Sequence, residues 1–301
     1  MVILITGASG LIGSALTEFL LKQGHSVVHL GRSPRTGKVP CYAWDIQNGK
    51  LDARALKDAE VIIHLAGAGV AEKRWTARRK REILESRIQS SRLLYDALAK
   101  GGHAVKTFLS ASAIGYYGFR TGDEGVTEAQ PAGDDFLAEV VSQWEQSVDG
   151  MATLGIRLVK LRIGMVLSDR GGVLQEIVRP IKWFAGAPLG SGRQIMSWIH
   201  IQDLCRIFHE AVTNSNWSGV YNAVTNQPCT NRELTEKSAR LLRRPLWLPS
   251  VPEFVLRLMV GQMSEIVVNG CRVVPQRTLQ EGFRFDFPDL DGALSNLLLK
   301  R

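Results

Sequence analysis

Gly7, Gly10 and Gly13 recur at every third position directly after the apolar, β-branched run Met1 to Ile5. Beyond them the apolar period changes: Ala15, Leu16, Phe19 and Leu20 share one helical face, and Gly24 ends the pattern. A strand entering a helix through such a turn is suited to hold a pyrophosphate. Gly7 permits the tight turn, Gly10 lets a ligand approach the backbone, and Gly13 lets helix and strand pack closely. The phosphates would then meet the free N–H groups of the helix start, at Leu11 and Ile12. A second run, Ser26 to Leu30, is followed by Gly31, Arg32 and Ser33 with no acid in reach. An acid there would bond a free ribose 2′-hydroxyl, whereas a guanidinium suits a 2′-phosphate. Arg32, helped by Ser33, therefore points to NADP(H) as the cofactor rather than NAD.

Such a turn needs a sheet behind it. Val61 to Leu65, Thr107 to Leu109 and Leu158 to Leu161 repeat the short apolar strand texture, with helical segments around 76–99 and 135–153 between them. That alternation predicts an α/β fold, a Rossmann-type doubly wound parallel sheet with right-handed crossovers. After Leu167 the texture shifts to Gly171, Gly172, Pro180 and Pro188, and Val220 to Ala223 is expected to return to the sheet. Thr230 to Glu233 reads as a helix N-terminus, and Glu253 to Val260 as a helix after the Pro245 to Pro252 run. The expected organisation is a nucleotide-binding domain over 1–167, with 195–225 returning to it. A smaller, mixed substrate or capping lobe would come from 168–194 and 226–301.

Composition excludes several classes. The 301 residues are 45% apolar and 22% charged, which suits a soluble globular protein with a large core. No stretch approaches the roughly 18 apolar residues of a membrane span, and Thr6 with Gly7 breaks the opening run before a signal cleavage site. A cytoplasmic protein is expected. Cys41, Cys205, Cys229 and Cys271 are scattered, which suggests neither zinc nor disulfides, so no metal is expected. The net charge of +8 raises the question of nucleic acid, most of all at Lys73 to Arg81. Glu82 and Glu85 follow at once, and Trp75, Ile83 and Leu84 anchor the segment, so it reads as a solvated helix start. Neither nucleic acid nor a membrane is expected as partner.

Taken together, Thr6-Gly7-Ala8-Ser9-Gly10-Leu11-Ile12-Gly13, His64-Leu65-Ala66-Gly67, Ser110-Ala111-Ser112-Ala113 and Leu161-Arg162-Ile163-Gly164-Met165-Val166 resemble the extended short-chain dehydrogenase/reductase family, which includes NAD(P)-dependent epimerases. Arg74-Trp75-Thr76, Glu85-Ser86-Arg87, Gly115-Tyr116-Tyr117-Gly118, Gly190-Ser191-Gly192-Arg193-Gln194 and Trp198-Ile199-His200-Ile201 are similar to its atypical epimerase-family branch, as is the tail around Val274-Pro275-Gln276-Arg277. The resemblance implies that Leu65, Ala66 and Gly67 line the adenine ribose, and that Ser110, Val166, Glu82 and Arg87 belong to the cofactor site. It also implies a catalytic Ser or Thr at Ser112.

The family reaction uses a tyrosine phenol that exchanges a proton with a substrate hydroxyl while hydride moves, with a lysine four residues on. Here the helix runs Phe136-Leu137-Ala138-Glu139-Val140, so Phe136 and Val140 stand nearest those positions and no Tyr or Lys is present. Ser112 and Tyr116 are the remaining candidates for catalysis, with Tyr117 and Arg193 for substrate binding; the family's spacing from Ser to Tyr-Gly is one residue shorter. His200 lies in a block that is mainly structural in the family. The sequence thus points to an NADP-dependent oxidoreductase or epimerase-like enzyme acting on a hydroxylated small molecule. The alternative is a non-catalytic NADP(H) sensor, and a homodimer is left open.

Overall fold

A computed structural model describes residues 1–119 and 125–299; Lys300 and Arg301, the end of the expected lobe, lie outside the described residues. In chain order the elements are β1 (Val2–Thr6), α1 (Leu11–Lys22), β2 (Ser26–Gly31), β3 (Cys41–Asp45), β4 (Lys50–Leu51), α2 (Arg54–Lys57), β5 (Val61–His64), α3 (Ala77–Ala99), β6 (Thr107–Ala113), a 3-10 turn at Ile114–Tyr117, α4 (Phe136–Asp149), β7 (Arg157–Ile163) and β8 (Met165–Leu167). They continue with α5 (Val173–Lys182), β9 (Ile195–Met196), β10 (Trp198–His200), α6 (Ile201–Thr213), β11 (Gly219–Ala223), β12 (Cys229–Thr230), α7 (Asn231–Leu241), α8 (Glu253–Val260), α9 (Glu265–Val268), α10 (Gln276–Gln280) and α11 (Leu290–Leu298).

Eight strands form one sheet in the order β11-β7-β6-β5-β1-β2-β3-β4. Every pairing is parallel except the β3–β4 hairpin at the edge. The chain builds outward from β1 through β2 to β3, then returns to place β5 on the other side of β1. The carboxyl ends of β1 and β5 therefore flank the point where strand order reverses, which is where open α/β sheets bind ligands. Thr6 fixes that point: its hydroxyl lies 2.8 Å from His64 Nδ1 and accepts the Leu65 and Ala66 amides at 3.2 Å.

Both sheet faces are covered, as central strands such as β5, buried throughout, and β1, buried from Ile3 to Thr6, require. On one face α1 and α6 bury Leu16, Leu20, Leu204 and Phe208 against Ile3, Ile5, Ile63 and Leu161. On the other, Leu94 and Leu98 of α3 meet Leu4, Ile62 and Phe108. A separate apolar cluster joins Leu174 and Val178 of α5 to Leu234 of α7 and Leu294 of α11. Helix starts follow the sequence signals: Thr76 caps α3, Asp135 caps α4, and Thr230 with Glu233 forms a reciprocal capping box on α7. Among the described residues no helix is long and apolar enough to cross a membrane, and no His, Cys, Asp and Glu cluster could hold a metal ion.

Candidate nucleotide-binding and catalytic site

The three glycines of the first turn meet different surroundings. A Cβ on Gly7, where φ is 67°, would lie 2.8 Å from the Leu65 carbonyl carbon; one on Gly13 would lie 2.5 Å from Gly7 O and 2.6 Å from Ala8 Cα. Both are dictated by the chain's own packing. Gly10 is exposed, and its Cβ would meet only Gly7 O, at 3.3 Å. What a side chain there would fill is the space in front of α1. That helix has Gly10 as N-cap, no side-chain cap and no acid in its first turn. Its leading N–H groups and the positive end of its dipole thus face a cradle that an anion fits. Leu11 and Ile12 are half-buried beside it, and a Cβ on Gly172 would come within 3.0 Å of Leu11 Cδ2.

Arg32 and Ser33 follow β2 directly; both are exposed, and neither makes a hydrogen bond or ion pair among the described residues. Across β1, Gly67 is exposed and sits over Arg87, whose Cζ would be 3.2 Å from a Cβ at Gly67. Arg87 is 9% exposed. One terminal nitrogen donates to Ala68 O at 3.0 Å and Ile83 O at 2.8 Å, but no carboxylate pairs with Arg87 among the described residues. Burial, with Arg79 nearby, pushes its pKa down to about 10. Its guanidinium lies 4.9 Å from the ring centre of Trp144, whose buried indole N–H has no acceptor among the described residues. A buried cation without a counter-charge and an orphaned donor together fit an anionic, acceptor-rich ligand. Glu82 instead faces solvent and pairs with Arg79 at 2.9 Å, a contact that holds its carboxyl below the usual range. Ser110 is buried and donates to Ala111 O at 2.8 Å, and Val166 is half-buried in β8.

Where β6 ends, Ser112 stands in register with Arg162 of β7. Ser112 Oγ donates to Glu145 Oε1 at 2.6 Å, while Arg162 Nε and Nη2 donate to the two Glu145 oxygens at 2.8 and 2.9 Å. Arg162 Nη1 donates to Tyr117 Oη at 3.0 Å, and that hydroxyl donates to Asn222 Oδ1 at 2.7 Å. Burial alone would lower the Arg162 pKa, but the Glu145 carboxylate outweighs it and raises it. Burial pushes the Tyr117 phenol up to about 12.

Tyr117 was the expected substrate contact. Its side chain is 0% exposed and its hydroxyl is held on both sides, by Arg162 and Asn222. Tyr116 differs: it is half-buried, its ring centre is 3.4 Å from Arg162 Cζ, and its hydroxyl makes no hydrogen bond among the described residues.

Helix α4 is also placed differently from the sequence expectation. Phe136 packs against Trp75 with ring centres 5.0 Å apart and Lys80 Nζ 4.6 Å over its ring, and Val140 is buried with Trp75 and Ile83. The four-spaced pair that meets the 114–117 turn is Leu137 and Val141, within 3.4 and 3.7 Å of a Cβ at Gly115. Neither pair titrates. Glu145 and Arg162 were missed because they lie on different elements; an arginine inside the apolar run Leu158 to Ile163 was the available signal.

Ser112, Tyr116 and Tyr117 are thus gathered around Arg162, whereas Arg193 lies in the separate loop between α5 and β9. Arg193 is exposed, and its amide donates to Ser191 Oγ at 3.2 Å. His200 caps α6, its Nδ1 accepting the Gln202 amide at 3.1 Å, and stacks on Phe287 at 3.8 Å.

The reversed strand order at β1, opening onto an uncapped helix through a glycine turn, defines a dinucleotide-binding protein of the Rossmann type. The comparisons with known proteins make this specific. Residues 3–223 match the NAD dependent epimerase/dehydratase family and residues 251–297 a domain of unknown function (DUF1731), and the chain belongs to that epimerase/dehydratase family. Epimerase family protein YfhF of Bacillus subtilis is 36% identical over 303 residues, covering 100% of this chain and 99% of that protein. Epimerase family protein SDR39U1 of mouse is 33% identical over 304 residues, 99% of this chain and 100% of that one. The crystal structure of human epimerase family protein SDR39U1 (isoform2) with NADPH superposes with a TM-score of 0.89 at 30% identity, covering 100% of both chains.

Proposed function

We propose that the chain is an NADP(H)-dependent oxidoreductase or epimerase-like enzyme acting on a hydroxylated small molecule. The observation that carries the cofactor choice is Arg32, an exposed guanidinium without a partner among the described residues at the end of β2, where no acid is available to a 2′-hydroxyl. The similar human protein was solved with NADPH, which supports the same reading. The cradle before Gly10 would take the pyrophosphate, Arg87 would supply its counter-charge, and Leu65, Ala66 and Gly67 would border the adenosine. When bound, the cofactor supplies a nicotinamide that accepts or donates hydride.

The chain's own residues must then handle the substrate proton. With its proton committed to Glu145, Ser112 Oγ offers lone pairs and accepts a hydrogen bond from a substrate hydroxyl. Tyr116 has the one phenol of the pair not already engaged, and it would exchange the proton. Arg162, locked by Glu145, holds both in place from behind. Purified protein supplied with NADP or NADPH and a set of hydroxylated metabolites tests this by nicotinamide absorbance and product mass. Turnover lost in both Ser112→Ala and Tyr116→Phe supports the assignment; turnover kept in both overturns it. One observation favours the sensor reading, namely that the α4 side chains nearest Gly115 of the 114–117 turn are Leu137 and Val141, and the helix carries no Tyr or Lys. Tight NADPH binding without turnover of any substrate supports that reading.

A further inference from the structure

Besides the basic run Lys73 to Arg81, a second group of exposed cations lies beside exposed aromatic rings. The turn ending α5 carries Trp183, 81% exposed, and Phe184; the segment after α7 carries Trp247, 69% exposed. The two segments adjoin: Arg244 Cζ lies 4.5 Å over the Phe184 ring, and a Cβ on Gly186 would meet Leu246 Cδ2 at 2.9 Å. Between them, residues 179–184 and 240–247 hold Arg179, Lys182, Arg240, Arg243 and Arg244; Arg179 pairs with Glu176 at 3.6 Å one turn back, and the two segments themselves contain no acid. Phe184 and Arg243 are the non-glycine residues with left-handed backbone among those described, at φ 61° and 53°. Neither is β-branched, but each bulky side chain is strained there, at a turn where glycine would be relaxed.

We infer that this face docks the protein peripherally on an anionic lipid bilayer. Indole and phenyl rings seat at the depth of the headgroups, while guanidinium and ammonium groups meet lipid phosphates. Charge decides between occupants. A two-fold pairing of the face with a second copy would set arginines against arginines, whereas an anionic surface neutralises them all. A nucleic acid duplex would satisfy the cations but leave exposed indoles on turn tips with no unstacked base to meet them, and a single strand, whose bases could stack on them, is an outcome of the test. The inference departs from the expectation of no membrane partner. It involves no spanning helix and is independent of the chemistry proposed above. It would hold the cofactor domain at the bilayer.

The test is sedimentation of the purified full chain with vesicles of phosphatidylcholine alone or mixed with phosphatidylglycerol, with tryptophan emission recorded in parallel. The expected result is binding to the anionic vesicles alone, with a blue shift, reversed by high salt. Arg243→Asn with Arg244→Gln is expected to weaken binding roughly thirtyfold, and Trp183→Ser with Trp247→Ser to abolish the blue shift. Asn tolerates the left-handed backbone at 243, and all four side chains face solvent, so melting temperature and NADPH affinity should stay at wild-type values. Wild-type protein that stays in the supernatant, or binding unchanged in both double variants, overturns the inference. So does binding to a single-stranded oligonucleotide in place of vesicles.

Discussion

Ser112 donates its hydroxyl proton to Glu145 across 2.6 Å, inside a structure where both side chains are buried. The bond ties the end of β6 to α4, and Arg162 of β7 closes the arrangement by clasping the same carboxylate at 2.8 and 2.9 Å. Removing the carboxylate would leave a buried guanidinium with no counter-charge. Glu145→Ala is therefore expected to lose about 3–5 kcal/mol of stability in urea unfolding. Ser112→Ala, which leaves the ion pair intact, should lose only about 1 kcal/mol. Equal losses in the two variants would show that the ion pair is not what holds this corner.

The glycine turn separates structural from ligand-facing positions. Gly13→Ala would force a methyl group to within 2.5 Å of Gly7 O and 2.6 Å of Ala8 Cα, backbone on both sides. Its melting temperature should fall by several degrees or the protein should fail to accumulate. Gly10→Ala meets only Gly7 O, at 3.3 Å, so stability should change by less than about 1 kcal/mol. Its NADPH affinity should nevertheless fall at least tenfold, because the methyl group occupies the cradle. Calorimetric titration beside thermal melts distinguishes the two effects.

His64 makes the fold sensitive to acid. It is wholly buried, with Nδ1 2.8 Å from the Thr6 hydroxyl and Nε2 3.2 Å from that of Ser90. Burial, with Arg87 nearby, lowers its pKa from 6.5 to about 3. Between those values the unfolded chain binds a proton that the folded chain refuses, so stability present above pH 6.5 is lost as pH falls towards 3. The slope is about 1.4 kcal/mol per pH unit from this group. Burial lowers His25, His29 and His209 in the same direction. Urea midpoints at pH 7, 6 and 5 should decline in wild type and decline less steeply in His64→Gln. A midpoint flat from pH 7 to 5 would contradict the burial argument.

Much of this architecture was legible in the sequence, for local reasons. The helix expected over 76–99 is α3 at Ala77–Ala99, because Thr76 supplies a cap and Ile83, Leu94 and Leu98 fall on its buried face; Val220 to Ala223 lies within β11. The strands β3 and β4 were not visible, since Cys41–Asp45 shows no alternation of polar and apolar residues and Lys50–Leu51 is too short to show one. At the site, the glycine turn could be read because its function depends on backbone spacing alone. Glu145, Arg162 and Asn222 could not, because their roles arise from three elements meeting in space. The full burial of Tyr117 and the half-burial of Tyr116, neighbours in sequence, are set by the 114–117 turn, where Gly115 packs on Leu137 and Val141.

The most direct test of the account is the nucleotide preference and its dependence on Arg32. Titrating NADPH and NADH into wild-type protein should show tighter binding of NADPH by about ten- to a hundredfold, as expected for a hydrogen-bonded charge pair with the 2′-phosphate. In Arg32→Ala that preference should collapse while NADH affinity stays near its wild-type value. A wild-type protein that prefers NADH, or an Arg32→Ala variant that keeps its preference for NADPH, would contradict the assignment of the phosphate to Arg32.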